Sequence, residues 1–353
     1  MSTIVLTGGG TAGHIMPNVA LIPELKKHFD KIVYIGSKNG MEKDIISKIP
    51  GIEFKEIETV KLIRKFTLKN LLIPFKLISS VRACKKLLKK LKPDVIFSKG
   101  GYVAVPVCIA GKSLGIKIIS HESDYSFGLA NKLIMKRCNL MLTSFRETCK
   151  NDKCIYTGSP IREEIFKGNK NNCECNFKKK QPCVLIFGGS LGAKKINEVV
   201  FKSIDKLKDF NIVHIVGKNN SKEIDKPNYF QREFVDNIWD YFNLADLVVS
   251  RAGANSIFEI LALKKPMLLI PLSKAQSRGD QIENATAFKR YGFASLLYEE
   301  ELNPVTLKKS INNLYQNKER YISRMNEISS VPSNKLILQK ILELGNKNSR
   351  YKF

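Results

Sequence analysis

Short apolar runs alternate with longer amphipathic stretches along this chain of 353 residues. In the first half the runs are "TIVLT" (3–7), "KIVYIG" (31–36), "DVIFS" (94–98), "IKIIS" (116–120) and "LMLTS" (140–144). Runs this short and this uniformly apolar predict strands covered on both faces, and the helix-length segments between them predict βα units on a parallel sheet. The stretch "KGNKNNCECNFKKKQP" (167–182) interrupts the pattern with the Lys/Asn-rich composition of a linker. "CVLIFGGSLGAKKINEVV" (183–200) then repeats the opening of the chain: apolar strand, glycine turn, amphipathic helix. Further strands are predicted at "FNIVHIVG", "ADLVVS", "PMLLIP" and "FASLLY". The pattern therefore predicts an α/β protein with two Rossmann-like domains in tandem.

Composition agrees with two domains, since 353 residues at 43% hydrophobic content suffice for two cores. The balance of 59 Lys and Arg against 33 Asp and Glu leaves a formal charge of +26. Such a field favours an anionic partner, whether nucleic acid, anionic lipid or a phosphorylated substrate, although an AT-rich genome would also scatter lysines. No aromatic stacking pattern or nucleic-acid-binding module accompanies the charge, so no nucleic-acid partner is expected. Cys84, Cys108 and Cys183 fall in predicted strands or helices and behave as small buried hydrophobes. Cys173-Glu174-Cys175 has no completing Cys or His pair, so neither a metal nor a disulfide framework is expected. The chain passes from Met1 into a strand without a leader, and no run of eighteen apolar residues occurs, so a cytoplasmic protein is expected.

Gly8, Gly10 and Gly13 match the dinucleotide fingerprint G-x-G-x-x-G after the first strand. A dinucleotide fold would carry an acid about twenty residues on, at the end of the second strand. That strand reads "KIVYIGSKNG", without the acid, and no G-K-[ST] follows the glycines to make a P-loop. What remains is a turn that brings backbone N–H groups and a helix N-terminus close to a ligand. His14 falls in the first helical turn, where the positive end of the helix favours the neutral ring; it reads either as a helix-start residue or as a base. In the second half, "RAGANSIFEI" puts Glu259 on a helix opening at Gly253-Ala254, and "PLSKAQSRGDQIENA" leads into a helix through Asp280, Gln281 and Asn284. Carboxylates and amides at the carboxyl ends of parallel strands suit sugar and ribose hydroxyls, although Glu259 alone also reads as an ordinary solvated helix residue.

With these residues assembled, the chain resembles the MurG family of glycosyltransferases from Thr7 to about Gly345. The carriers are "GGTAGHIMP" (9–17), "KPDVIFSKGGYVAVP" (92–106), "HESD" (121–124), "TGSPIR" (157–162), "GGSLGA" (188–193), "SRAGANSIFEI" (250–260) and "RGDQIENA" (278–285). The resemblance implies a GT-B fold, two Rossmann-like domains facing across a cleft. Residues 1–162 would form the acceptor-binding, membrane-associating domain, 163–182 the linker, 183–330 the UDP-sugar-binding domain, and 331–353 a C-terminal helix returning to the first domain, with a tail. It implies inverting transfer of N-acetylglucosamine from UDP-N-acetylglucosamine to the C4 hydroxyl of the muramyl sugar of lipid I, without a cofactor. Glu259 would hold the ribose, the Val235 backbone would read uracil beneath Phe234, and Ala254 and Asn255 would line the nucleotide site. Ser190 and Arg162 would contact the diphosphate, and Asp280 and Gln281 the sugar hydroxyls. Thr11, Ala12 and Gly13 would line the opposite wall. Ala12 replaces a frequent Gly, tolerable if its φ stays negative. Asp124 and Asp280 stand where amides are frequent, and an ionised carboxylate accepts hydrogen bonds but donates none.

Such a reaction needs a general base, for which His14 is the first candidate and Glu122 the reserve. A polyprenyl-linked acceptor requires work at a membrane surface, which points to peripheral attachment at its cytoplasmic face. Residues 61–92 mix Leu, Ile and Phe with many Lys and Arg. Contact with anionic lipid is expected near Leu62 to Phe75, and core packing at Val81 to Leu91. The rival expectations are another GT-B enzyme, such as a lipid glycosyltransferase or a sugar-nucleotide epimerase, and a basic nucleic-acid-binding protein.

Overall fold

A computed structural model describes residues 2–59, 73–189, 192–328 and 333–345. The chain divides into two compact units, Met1–Arg162 with Val331–Phe353, and Glu163–Ser330.

In the first unit the elements run β1 (Thr3–Thr7), α1 (Ala12–Leu25), β2 (Lys31–Ser37), α2 (Met41–Ile46), β3 (Ile52–Ile57), α3 (Ile73–Leu91), β4 (Val95–Ser98), α4 (Ala104–Ser113), β5 (Lys117–Glu122), α5 (Leu129–Met135), β6 (Leu140–Thr143) and β7 (Cys154–Tyr156). All strand pairs are parallel, in the order β3-β2-β1-β4-β5-β6-β7. The apolar runs of the sequence arise because both faces are covered. Ile4 and Leu6 of β1, with Ile32 and Tyr34 of β2, enter one core layer, while Val5, Val33 and Ile35 enter the other. Each such side chain taken from water contributes about 1.5–3 kcal/mol. The last helix of the chain (Ser333–Gly345) belongs to this unit, where Ile337, Leu338, Ile341 and Leu342 join the layer of Ile4 and Leu6.

The second unit runs β8 (Cys183–Phe187), α6 (Lys194–Phe201), β9 (Asn211–Ile215), β10 (Tyr229–Arg232), α7 (Ile238–Leu244), β11 (Leu247–Ser250), α8 (Ala254–Ala262), β12 (Met267–Leu269), α9 (Asp280–Tyr291), β13 (Ala294–Leu296), α10 (Pro304–Gln316) and α11 (Lys318–Asn326); the terminal helix is α12. Its parallel sheet, β10-β9-β8-β11-β12-β13, repeats the order of the first. The first residues of the Asn/Lys-rich stretch are folded against α7. Asn169 N–H donates to Asp240 Oδ1 at 2.7 Å and Lys170 N–H to Asn243 Oδ1 at 3.2 Å. Asparagine here serves as a local hydrogen-bonding residue, which composition alone reads as linker.

In both sheets the strand order reverses beside the first strand, between β1 and β4 and between β8 and β11. Loops at the carboxyl ends of those strands diverge to opposite sides, which opens a crevice for ligand. The glycine-rich segments 8–13 and 188–193 follow β1 and β8.

Candidate active site

The first crevice is built from loops that touch one another. Gly101 follows β4 with φ +78°, and a Cβ there would lie 2.5 Å from the carbonyl oxygen of Gly9, so only glycine allows this approach. Gly10, at φ +87°, directs its N–H to Glu42 Oε2 at 3.4 Å. Glu42 is fully buried in the first turn of α2, and its Oε1 accepts from Ser37 N–H at 2.8 Å and Ser37 Oγ at 2.5 Å. Beneath the glycines, the Tyr34 hydroxyl donates to Gly8 O at 2.7 Å and Asn18 Nδ2 to Thr7 O at 3.3 Å.

On this platform Thr11 stands at the N-cap position of α1 without a side-chain cap bond, and Thr11 and Gly13 are exposed while Ala12 and His14 are half-buried. Ala12 is the first helical residue and is not among the residues with positive φ, so the alanine is accommodated. His14 Nδ1 lies 3.0 Å from the carbonyl oxygen of Lys99. A carbonyl only accepts, so Nδ1 carries a proton, and in the neutral ring the lone pair is on Nε2.

Lys99 is 1% exposed. Its Nζ reaches His121 Nδ1 at 2.5 Å and Ser123 Oγ at 2.7 Å, while His121 Nε2 lies 2.9 Å from the carbonyl oxygen of Gly158. His121 is therefore neutral, donating through Nε2 and accepting through Nδ1; burial and the Lys99 charge hold its pKa well below the usual value. Burial lowers the Lys99 ammonium to about 7 against the opposing pull of Glu122 and Asp124. Glu122, 4% exposed, accepts from Asp124 N–H at 3.1 Å, Gly128 N–H at 2.9 Å and Asn131 Nδ2 at 3.0 Å. Those bonds make Glu122 an anchor of loop 123–128. Arg162, half-buried, ends this unit beside Ile161, whose backbone exchanges two hydrogen bonds with the Asn334 amide.

In the second unit, Glu259 lies on α8 and is 8% exposed, so it is not an ordinary solvated helix residue. Ala254 is buried and Asn255 half-buried at the start of the same helix. The loop before α8 is tied to α9 through Asn284 Nδ2, 3.1 Å from Ala252 O. Arg251 is buried, donates to Ile270 O at 3.1 Å, and pairs with the buried carboxylate of Glu299. Asp280 opens α9, with Arg278 Nη2 3.7 Å away. Gln281 Oε1 accepts from Leu272 N–H at 3.0 Å, so what this side chain offers a ligand is its N–H pair. Phe234 (61% exposed) and half-buried Val235 follow edge strand β10. Ser190 lies outside the described residues.

The structure thus joins Thr11, Ala12, Gly13 and His14 to loop 121–124 through Lys99, and joins the α8 and α9 residues through Asn284 and Gln281. Glu42, Lys99, His121 and Arg251 were missed as site-building residues. A charged or titratable residue within two positions of a glycine turn or strand end was the available signal. Cys84, Cys108 and Cys183 are buried, and all eight cysteines are free. Among the described residues no group of three His, Cys, Asp or Glu side chains is placed to hold a metal, and no helix is long and apolar enough to cross a membrane. On α3, Cys84 and Leu88 are buried and Val81, Leu87 and Leu91 pack beside them, while Phe75 and Ile78 are exposed. Leu62 to Leu72 lie outside the described residues.

Residues 4–143 match the glycosyltransferase family 28 N-terminal domain and residues 183–340 the family 28 C-terminal domain. The chain is 51% identical over 336 residues to the UDP-N-acetylglucosamine--N-acetylmuramyl-(pentapeptide) pyrophosphoryl-undecaprenol N-acetylglucosamine transferase of Clostridium botulinum (strain Langeland), covering 93% of this chain and 95% of that one. A Clostridium tetani protein of the same name is 48% identical over 335 residues, covering 92% and 93%. Among solved structures, Acinetobacter baumannii MurG superposes with a TM-score of 0.79 at 22% identity, covering 97% of this chain and 100% of that one. The calicheamicin glycosyltransferase CalG4 gives 0.74 at 12% identity, covering 99% of each chain. At those identities the two structures speak to the fold alone.

Proposed function

The chain belongs to glycosyltransferase family 28, and from that premise we infer that it is a GT-B enzyme moving N-acetylglucosamine from UDP-N-acetylglucosamine to the muramyl sugar of lipid I. The product is lipid II, the lipid-linked precursor of peptidoglycan. The observation that carries this reading is identity at half of all positions across both domains with proteins named for that transfer.

In this reading the C4 hydroxyl of the muramyl sugar attacks the anomeric carbon with inversion. The new C–O bond forms as the bond to the UDP diphosphate breaks, and UDP leaves with the electron pair. His14 Nε2 takes the hydroxyl proton, supported by the bond that holds the other ring proton on Nδ1. Thr11, Ala12 and Gly13 shape the surrounding wall, and Asp124 accepts from a sugar hydroxyl. On the donor side, Glu259 holds the ribose hydroxyls, while Val235 and Phe234 take the base beside Ala254 and Asn255. Asp280 and the Gln281 N–H pair meet the sugar. Arg162 and Ser190 meet the diphosphate, where charge grows as UDP departs, so their hydrogen bonds strengthen in the transition state.

The enzyme works as a peripheral protein on the cytoplasmic membrane face. Exposed Phe75 and Ile78 on basic α3 support shallow insertion into anionic lipid, where each nearby Lys or Arg is worth about 1 kcal/mol. The test is transfer of labelled N-acetylglucosamine from its UDP donor to a short-chain lipid I analogue, with Glu259→Ala as control. Transfer that disappears in the control supports both reaction and nucleotide site. A protein that binds UDP-N-acetylglucosamine yet never glycosylates the analogue refutes the acceptor.

A further inference from the structure

Arg251 follows β11, Ile270 follows β12 and Glu299 lies just beyond β13, and one buried ion pair joins these three neighbouring strand ends. Arg251 Nη1 donates to Ile270 O at 3.1 Å and Nη2 donates to Glu299 Oε1, with both side chains buried. Removing either partner would leave a buried charge unpaired, so the pair is a fixed post at the carboxyl end of the sheet. The second carboxylate oxygen, Glu299 Oε2, accepts from Gln276 Nε2 at 3.4 Å. Gln276 is exposed, near the tip of loop 271–279, which leads from β12 into α9.

That loop is bonded to itself. Ser277 Oγ donates to Ser273 O and accepts from Gly279 N–H, both at 3.1 Å, and Gln276 N–H also donates to Ser273 O. Its start is fastened to α9 by Leu272 N–H on Gln281 Oε1 at 3.0 Å. The Gln276–Glu299 bond therefore runs from a unit that moves as one piece to a post that does not move. A displaced tip would carry Asp280 and Gln281 with it, while the residues read as holding uridine follow β10 or lie on α8, outside the loop.

We propose that Gln276 and Glu299 are positioning residues for the transferred sugar: their hydrogen bond fixes loop 271–279 to the Arg251 post and so sets where Asp280 and the Gln281 N–H pair meet the sugar hydroxyls. The pin acts on the sugar half of the donor and not on the uridine half. This rests on the function inferred above and deepens it.

The experiment is titration calorimetry on the full chain with UDP-N-acetylglucosamine and, separately, with UDP, for wild type, Gln276→Ala, Gln276→Glu and Glu299→Gln. Gln276→Ala removes the bond and is expected to weaken UDP-N-acetylglucosamine binding about threefold or more. Gln276→Glu sets a second carboxylate against Glu299 and drives the tip away, for an expected loss of about tenfold or more. UDP, which lacks the sugar, should bind every folded variant as it binds the wild type. Gln276 is exposed, so the urea midpoint of its variants should not move, and a loss of sugar binding at unchanged stability is what a merely structural residue would not give. Glu299→Gln should lose sugar binding in the same direction; should it fail to fold beside the buried Arg251, the two Gln276 variants decide alone. Gln276 variants that bind both ligands as the wild type does, or that lose both equally, overturn the pin. A wild type that binds no UDP-N-acetylglucosamine refutes the functional reading itself and the pin with it, so the two failures are distinguishable.

Discussion

Replacing Lys99 by methionine keeps the volume of the side chain and removes its charge, which gives a pH-dependent stability change whose size follows from the structure. Burial disfavours the charge of the Lys99 ammonium and lowers its pKa to about 7 in the folded protein, against 10.5 for an exposed lysine. Between those values the unfolded chain holds the proton and the folded one does not, so stability rises with pH across that window and falls as pH drops toward 7. Integrated from pH 7 to pH 9, the contribution is about 2 kcal/mol of added wild-type stability that Lys99→Met lacks. Methionine also leaves His121 Nδ1 and Ser123 Oγ without the lysine, but that cost is nearly independent of pH, so the diagnostic is the slope. The assay is urea unfolding of both proteins at several pH values by far-UV circular dichroism. Trp239, the single tryptophan, lies in the second unit, and its fluorescence transition should not respond to the substitution. A difference in unfolding free energy between the two proteins that stays flat from pH 7 to pH 9 would mean that Lys99 keeps its proton, and would refute the reasoning.

His14→Ala should lower kcat by about 10²–10⁴ with little change in donor affinity, measured by steady-state transfer. Glu42→Ala strands the buried Ser37 N–H and releases Gly10, so chemical denaturation should show a loss of about 1–3 kcal/mol, with Glu42→Gln falling in between. Glu259→Ala should weaken UDP binding by about tenfold or more in calorimetry, since hydrogen bonds to a charged group are worth about 1.5–3 kcal/mol. Phe75→Asp with Ile78→Asp should reduce binding to vesicles containing anionic lipid by about tenfold or more, each apolar side chain contributing about 1.5–3 kcal/mol when buried; unchanged cosedimentation would move the contact elsewhere.

What the sequence made legible was set by burial on two faces. Strands β1, β2, β4, β5 and β6, and β8, β9, β11, β12 and β13, are the apolar runs of the chain. The strands not read from the sequence are β3, β7 and β10, and each is an edge of its sheet. At an edge the sheet faces are less fully covered, so "IEFKEI" carries charge between its apolar residues and "YFQR" ends on two polar ones, while β7 is only the three residues "CIY". The last strand, β13, is also an edge, yet it was legible because Leu297 beside it is buried in the second core. The positions of Thr11, Gly13, His14, Glu259 and Gln281 on the loops and helices that follow strands were legible because glycine motifs mark strand ends.

Side chains that hold the loops were not legible, because their chemistry reads as surface chemistry until burial is known. Glu42 sits in "NGMEKDII" beside Lys43 and Asp44, with nothing in the sequence to separate it from them, yet it is fully buried while Lys43 pairs with Glu56 in solvent. Lys99 is one lysine among a large excess, and Arg251 one arginine, yet both end inside their units at the carboxyl ends of the strands beside the topological switch. The repeated sheet order explains the coincidence. After β4 and after β11, on the same side of the topological switch in each sheet, a buried charged side chain ties the loop to its neighbours. Lys99 does so toward His121 and Ser123, and Arg251 toward Ile270 and Glu299. A charge buried for that purpose is costly unless paired. Arg251 meets that condition with the buried carboxylate of Glu299, after β13, whereas Lys99 sits on neutral His121 and Ser123, and its burial is met instead by a pKa lowered to about 7, so the first unit can hold this side chain without its charge.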